Sequence, residues 1–298
     1  MNEVIILNTD AEKERLHKYL AECLFELKTG DNYIYKHGDA VITIYKSGKV
    51  LFQGKSSSKW CTTIKELLNY SEVDTNSDID PRIKTIFPRI GSDESGKGDF
   101  FGPLVTVGFL VENDKQIIEL EKLGVRDSKK ISDSKIKILA EEIQKIGKFD
   151  RIIITPNKYN ELYIKIKNLN SMLAWSHSKA IENIMQNNDV KMIVIDKFAD
   201  KDFISSFVIK GENNLTELVL IPNAEREIAV AAASILARNS YLRWLDIYQS
   251  KIGIELPKGA NQNVVNTALK IVEKKGMDYL KEISKIHFST YNTIKSNL

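Results

Sequence analysis

Two adjacent carboxylates in a glycine-rich stretch are the residues of this chain best suited to chemistry. Asp93 and Glu94 lie within residues 90–103, which include four glycines and follow an apolar run. Carboxylate oxygens are hard ligands of the kind that magnesium and manganese prefer. Neighbouring residues of a strand point to opposite faces, so both acids can share one site only where the backbone bends, as glycine allows. The stretch therefore predicts a carboxylate metal site at a strand followed by a tight turn.

A phosphate-binding loop is a second interpretation of the same stretch. Residues 91–97 have the spacing of that motif, but Gly98 stands where it needs serine or threonine. The motif also opens a helix, whereas residues 100–107 are rich in β-forming residues and contain an early proline. Two acids in such a loop would also repel a phosphate. The metal site is therefore favoured, although the acidic pair taken alone also fits a solvated turn.

Two further acids stand at the ends of predicted elements. Asp196 follows the wholly apolar residues 192–195, a pattern typical of a strand that is buried on both faces. A carboxylate there is costly to bury unless it is paired or bound to a metal, and a turn residue at the strand end is the alternative. Glu225 opens an alanine-rich helix predicted at 225–246, where its charge also suits the helix N-terminus as a cap.

Composition sets broad limits on function. The chain has 298 residues, enough for two domains, and a net charge of only +3 from 43 basic and 40 acidic residues. With only Cys23 and Cys61, neither a disulfide framework nor a thiolate zinc site is expected. The sequence shows no secretory signal and no run long enough to span a membrane, so a soluble, cytoplasmic protein is expected.

The elements that must position the acids divide into two modules. Residues 1–70 predict a small α+β unit, residues 71–85 a polar, acidic linker, and residues 86–298 an α/β domain. In the first module the patterns predict a strand at 4–7, a helix that starts at Asp10 and stops at Gly30, a hairpin of 40–45 and 50–53, and a helix at 56–68. In the second they predict a hairpin through Val111, strands at 151–155, 192–195 and 217–221, and helices at 133–146 and 170–185. This order favours a mixed sheet with helices on both faces.

Lysines give the first module a local positive charge. Lys46, Lys49, Lys55 and Lys59 lie on or just after the predicted hairpin. They could neutralise a nucleic-acid backbone, or they could keep a sheet edge soluble. The residues alone leave both interpretations open.

Several motifs in a fixed order resemble the type 2 ribonucleases H, and the ribonuclease HIII branch in particular. They are residues 91–98 with their continuation to Pro103, residues 127–130, residues 193–196 and residues 231–238. The resemblance implies a ribonuclease H-like mixed sheet flanked by helices, preceded by a small α+β domain similar to half of the TATA-binding protein. It also implies an endonuclease that hydrolyses the RNA strand of RNA/DNA hybrids by a two-metal-ion mechanism and leaves 5′-phosphate and 3′-hydroxyl ends.

The resemblance also implies roles for individual residues. The catalytic residues, which are also the ligands of two Mg2+ or Mn2+ ions, would be Asp93, Glu94, Asp196 and Glu225. Glu227 is the alternative to Glu225. The reason for an alternative is that Glu225 stands one residue closer to the alanine-rich motif than the family's spacing requires. The residues expected to contact substrate are Gly96, Lys97, Gly98, Lys129, Lys130 and Ser234, with Lys46, Lys49, Lys55 and Lys59 of the first module. The partner would be the hybrid itself, bound by a monomer.

The sequence also leads to an expectation for one histidine and leaves two other functions open. His177 lies on the apolar face of the helix predicted at 170–185 and is expected to be a satisfied core histidine. Two alternatives to the nuclease stay open, namely a non-catalytic protein that binds hybrids and a nucleotide hydrolase that uses the glycine loop. Metal-dependent cutting of a hybrid, binding without cutting, and ATP turnover distinguish the three.

Overall fold

A computed structural model describes residues 3–7, 10–30, 32–45, 48–68, 81–126, 128–199, 201–207 and 216–297. The chain divides into two units, residues 1–78 and residues 79–298. The division falls inside the predicted linker, most of which lies outside the described residues.

The first unit contains an antiparallel sheet of five strands and two helices in its described residues. They are β1 (Glu3–Ile6), α1 (Asp10–Glu22), β2 (Glu26–Thr29), β3 (Tyr33–His37), β4 (Ala40–Ile44), β5 (Lys49–Gln53) and α2 (Ser57–Leu67). The strand order is β1-β5-β4-β3-β2. Leu16 and Leu20 of α1 pack into one core with Ile42, Phe52 and Ile64, because alternate strand residues face the same side of the sheet.

The first helix is shorter than the sequence predicts. The apolar spacing through Leu27 indicates a helix that stops at Gly30, but α1 ends at Glu22. Leu24 takes a left-handed conformation with a φ of 56°, which breaks the helix. Residues 26–29 then form β2, and Leu27 is 48% exposed rather than part of the core.

The second unit is built on a mixed sheet. Its strands are β6 (Arg89–Ser95), β7 (Leu104–Val111), β8 (Phe149–Ile154), β9 (Met192–Asp196) and β10 (Glu217–Ile221). Its helices are α3 (Asp114–Lys122), α4 (Asp133–Ile146), α5 (Pro156–Ile166), α6 (Leu169–Met185), α7 (Lys201–Phe207), α8 (Ile228–Ile252), α9 (Gln262–Ile283) and α10 (Ser289–Ser296). The strand order is β10-β9-β6-β7-β8; β10, β9 and β6 are parallel, β7 is antiparallel to β6, and β8 is antiparallel to β7.

Helices cover both faces of this sheet, as predicted. The helix α8 packs on the face to which Gly91 belongs, and α6 packs on the face of Gly108. Alanines at 229, 231–233 and 237 of α8 are buried, and Ala229 lies directly against Gly91 of β6, where a Cβ would leave no room for the helix. The predicted helix start at Glu225 is three residues early, since residues 224–226 form a separate turn of 3-10 helix.

The sequence did not predict α3, α5, α7 or α10. Pro156 directly follows the strand predicted at 151–155 and is the first residue of α5, a position where its missing N–H costs nothing. The helix α9 is interrupted at Gly276, whose φ is 85° and ψ 168°. In the part of the chain that the structure describes, the helices lack the combination of length and hydropathy needed to cross a bilayer.

Candidate active site

Two parallel strands bring Asp93 and Asp196 together. Ser92 of β6 pairs with Ile195 of β9, so the next residue of each strand is an aspartate, and both side chains point to the same face. Both line one cavity, and the negative charge of Asp196 helps to raise the pKa of Asp93. The backbone N–H of Ala224 donates to Asp196 Oδ1 at 3.2 Å. Acids more than a hundred positions apart therefore meet at the end of β6.

Glu94 points to the opposite face of the sheet. Its Oε2 lies 3.2 Å from His177 Nε2 on α6, and its Oε1 lies 3.3 Å from Lys97 Nζ. The two adjacent acids therefore leave β6 in opposite directions, as the strand geometry requires. Both nevertheless reach the same cavity, because β6 ends there.

A cavity of about 560 Å3 opens where β6 and β9 end. The predicted site residues that line it are Asp93, Glu94, Gly96, Lys97, Gly98, Lys129, Asp196 and Ser234. Glu225 lies beside this group rather than in the lining, and its Oε1 accepts a hydrogen bond from Lys129 Nζ at 3.0 Å. Asp127 and the side chain of Lys130 lie outside the described residues.

Burial and charge give the adjacent acids opposite protonation behaviour. Burial raises the pKa of Asp93 to about 8, and the neighbouring charges of Glu94 and Asp196 act in the same direction. Burial also opposes ionisation of Glu94, but the hydrogen bond and charge of His177, together with Lys97, lower its pKa to about 2. At neutral pH and without an added cation, Asp93 is therefore mostly protonated, whereas Glu94 is ionised.

The donor set fits a divalent cation. Carboxylate oxygens from Asp93, Glu94 and Asp196 are ligands that magnesium and manganese prefer, and a cation bound among them would favour the ionised form of Asp93. Within the described residues, no three histidine, cysteine, aspartate or glutamate side chains already converge as ligands of one ion. Glu94 and Glu225 instead pair with Lys97 and Lys129.

Glu227, the alternative fourth acid, is occupied elsewhere. Its side chain is buried, and its Oε1 accepts from Arg89 Nε at 2.9 Å. Its Oε2 accepts from the N–H of Val230 at 2.9 Å, so Glu227 caps α8. Glu225 follows Ala224, the residue that donates to Asp196, and is therefore the better placed of the two.

Two variants separate the roles of these glutamates. Glu227→Ala leaves the buried Arg89 guanidinium unpaired and removes the helix cap, so we expect the free energy of unfolding to fall by about 3–5 kcal/mol. Glu225→Ala is the matched control, because it should reduce hybrid cleavage while changing the unfolding free energy by less than about 1 kcal/mol. Urea unfolding and a cleavage assay measure both. The reverse pattern would make Glu227 the ligand.

The glycine loop leads into a strand, which excludes the phosphate-binding loop. Residues 96–103 connect β6 to β7, so no helix begins where that motif requires one. Gly96 has a φ of 86°, and a Cβ there would stand 2.1 Å from the carbonyl oxygen of Pro103. Only glycine can therefore occupy position 96 without strain. At Gly98, by contrast, a Cβ would meet nothing within 4 Å.

A buried lysine that the sequence did not single out holds this loop. Lys285 Nζ donates to the carbonyl oxygens of Asp99 at 2.8 Å and Gly102 at 2.6 Å. The N–H of Gly259 donates to Asp99 Oδ1 at 2.5 Å, and Phe100 donates back to the carbonyl of Gly259. Burial lowers the pKa of Lys285 to about 7. The loop beside the acids is thus tied to two later segments of the chain.

The serine of the alanine-rich helix supports Asp93. Ser234 is buried and donates a hydrogen bond to the Asp93 carboxylate. Its Oγ lies 2.8 Å from Ser128 Oγ. Arg238, one turn later, donates to the carbonyl of Ser128 and pairs with Asp133 at 2.5 Å. This network joins the segment around Ser128 to the site.

The lysines of the first module belong to the other unit. Lys49, Lys55 and Lys59 are exposed there, and Lys46 lies outside the described residues. Lys49 begins β5, and Lys59 lies on α2.

Comparisons with known proteins cover both units. A family profile described as ribonuclease HII matches residues 90–291, and one described as a domain of unknown function matches residues 2–70. The ribonuclease HIII of Chlamydia pneumoniae is 35% identical over 98% of this chain and 98% of its own length. That of Protochlamydia amoebophila (strain UWE25) is 37% identical over 85% of this chain and 82% of its own length.

Solved structures agree with these matches. The crystal structure of Bst-RNase HIII in complex with Mn2+ has a TM-score of 0.65 and 27% identity, and covers 100% of this chain and 99% of that one. Aquifex aeolicus RNase H3 has a TM-score of 0.56 and 27% identity, with 96% and 99% covered. The chain therefore belongs to the type 2 ribonuclease H family of endoribonucleases, in its ribonuclease HIII branch.

Proposed function

We propose that this chain hydrolyses the RNA strand of RNA/DNA hybrids with divalent cations held by its carboxylates. The observation that carries the proposal is that Asp93, Glu94 and Asp196 line one cavity beside the glycine loop. Membership of the ribonuclease HIII branch and the Mn2+ bound to Bst-RNase HIII support it.

The carboxylates supply the cation site of the proposed reaction. The residues that would hold two Mg2+ or Mn2+ ions are Asp93, Glu94, Asp196 and Glu225. Such ions, when bound, supply an activated water and stabilise the charge on the leaving oxygen, which accounts for 5′-phosphate and 3′-hydroxyl ends. Ser234 orients Asp93, and the N–H of Ala224 orients Asp196.

The substrate contacts of this proposal come from the loop and from lysines. The backbone of residues 96–98 borders the acids and can hydrogen-bond a ribose 2′-hydroxyl, the group that distinguishes RNA from DNA. Lys97 and Lys129 are partly or largely exposed, so each can turn from its glutamate to a substrate phosphate, as we also propose for Lys130.

The first module adds substrate affinity in this proposal. Lys46, Lys49, Lys55 and Lys59 would neutralise the hybrid backbone without reading its sequence. Its match to a profile separate from the catalytic one supports a distinct domain. We propose that the activity is cytoplasmic, which the low cysteine content supports, and that the protein acts as a monomer.

A substrate panel tests the function. With Mg2+ or Mn2+, we expect the protein to cut a labelled RNA/DNA hybrid in its RNA strand and to leave duplex DNA intact, because the loop selects the 2′-hydroxyl. A chelator should abolish cutting. Binding of the hybrid without cutting would instead support a non-catalytic binding protein, and ATP turnover with an intact hybrid would support a nucleotide hydrolase.

A further inference from the structure

A fully buried histidine contacts one of the proposed cation ligands. His177 of α6 is 0% exposed, and its two ring nitrogens face two residues of β6. Nδ1 lies 2.7 Å from Ser92 Oγ, and Nε2 lies 3.2 Å from Glu94 Oε2. The ionised Glu94 carboxylate only accepts, so Nε2–H is the donor of that bond. The imidazole is therefore fixed at both ends.

An aromatic ring joins this histidine to the second partner of Glu94. The imidazole of His177 stacks on Phe198 with ring centroids 5.4 Å apart and planes at 20°. Lys97 Nζ lies 5.7 Å from the centroid of the same ring, and it pairs with the other carboxylate oxygen, Glu94 Oε1. Phe198 stands two residues after Asp196. Both groups that hold Glu94 thus pack on a ring anchored beside another proposed ligand.

His177 is too deeply buried to meet the substrate. It does not line the cavity that holds the acids, and its two nitrogens are engaged by Ser92 and Glu94. Direct proton transfer to a phosphodiester is therefore excluded by position. A core histidine with both ring nitrogens hydrogen-bonded, as the sequence predicts, would also make two such bonds. A structural role alone does not require that one of the partners be a proposed cation ligand.

We propose that His177 is a positioning residue that holds the Glu94 carboxylate in the orientation needed to bind a divalent cation. The inference rests on the proposed function, because it takes Glu94 as a ligand. Groups that hydrogen-bond a metal ligand typically change metal affinity by about 10- to 100-fold when they are removed. His177 should act on the cation before any substrate is present.

Three replacements of His177 test the proposal by Mn2+ binding to the substrate-free protein, measured by calorimetry. His177→Asn places its amide near the Nδ1 position and His177→Phe keeps only the stacking, so both should weaken Mn2+ binding by about 10- to 100-fold. His177→Gln places an N–H donor near the Nε2 position and should stay within about threefold of the wild type. The cation concentration for half-maximal cleavage should rise in parallel, with an unchanged KM for the hybrid.

Two variants of neighbouring serines serve as controls. Ser176→Ala removes the bond between Ser176 and Thr106 at the same interface of helix and sheet, without touching Glu94, and should leave Mn2+ affinity unchanged. Ser92→Ala removes the Nδ1 partner of His177 with little change in volume, and should weaken Mn2+ binding in a folded protein even where a His177 variant does not fold.

The outcomes are distinct. Wild-type Mn2+ affinity in folded His177→Asn and Ser92→Ala would overturn the inference while leaving the nuclease proposal intact. Equal weakening by Ser176→Ala would also overturn it, since general loosening of the interface would then be the cause. A wild-type protein that neither binds Mn2+ nor cuts a hybrid would overturn the proposed function itself.

Discussion

Asparagine in place of Asp93 is expected to abolish hybrid cleavage and to stabilise the protein in a chelator. The variant loses a proposed cation ligand, which should remove several kcal/mol of transition-state stabilisation, about a thousandfold in rate. It also removes a carboxyl group whose ionisation is opposed by burial and by the charges of Glu94 and Asp196. A fluorescence melt with EDTA and a cleavage assay with Mg2+ measure the two effects. The control Asp278→Asn alters an exposed acid and should change neither.

The stability of the wild type in a chelator is also expected to fall as the pH rises, because of Asp93. The pKa of Asp93 is raised from 3.8 to about 8 in the folded protein, so the folded state binds more protons than the unfolded state between those values. The stabilising contribution of this group is thus complete below about pH 4 and is lost as the pH rises through about 8. Urea unfolding in a chelator at pH 5 and pH 8 should show this loss in the wild type and not in Asp93→Asn. A variant less stable than the wild type at pH 8 would contradict the account.

Alanine in place of Gly91 is expected to destabilise the fold strongly. The added Cβ would stand 2.2 Å from the backbone nitrogen of Val230 and 2.3 Å from the carbonyl carbon of Ala229, so α8 would have to leave the sheet. We expect the unfolding free energy to fall by more than about 3 kcal/mol, at the upper end for overpacking. Urea unfolding of the purified variant measures it.

Gly98→Ala is the matched control for this effect. It lies in the same stretch, but a Cβ there would meet nothing within 4 Å. Its unfolding free energy should stay within about 0.5 kcal/mol of the wild type. If Gly91→Ala were equally harmless, the close approach of α8 to β6 described above would be wrong.

The strands that carry Asp93 and Asp196 could be predicted from local patterns, whereas the grouping of the acids in one site was implied by the family resemblance. Asp93 and Asp196 each follow an apolar strand, and parallel neighbouring strands present their ends at the same edge of a sheet. The strand β2 could not be predicted, because its four residues are exposed and carry no apolar alternation. Leu24 and Leu27 even continued the helical spacing past the true end of α1, since backbone conformation, not spacing, ends that helix.

The contacts that support the site could not be predicted from the sequence, for another reason. His177 was correctly placed on an apolar helix face, but the pattern of α6 does not show which strand residues lie opposite. Lys285 is a charged residue in a late segment, and its partners are carbonyl groups that any residue carries. Such contacts depend on how distant elements pack, which local periodicity does not contain.

The attachment of the glycine loop to Lys285 has a consequence for the order of events during synthesis. The hydrogen bonds that join Lys285 to Asp99 and Gly102 span 186 and 183 positions. A ribosome adds residues one at a time from the N-terminus, so β6 and its acids emerge long before the lysine that shapes the neighbouring turn. A nascent chain of this protein therefore carries its acids before the loop that we propose to bind substrate is complete, and we expect cleavage activity only after the last part of the catalytic unit has docked.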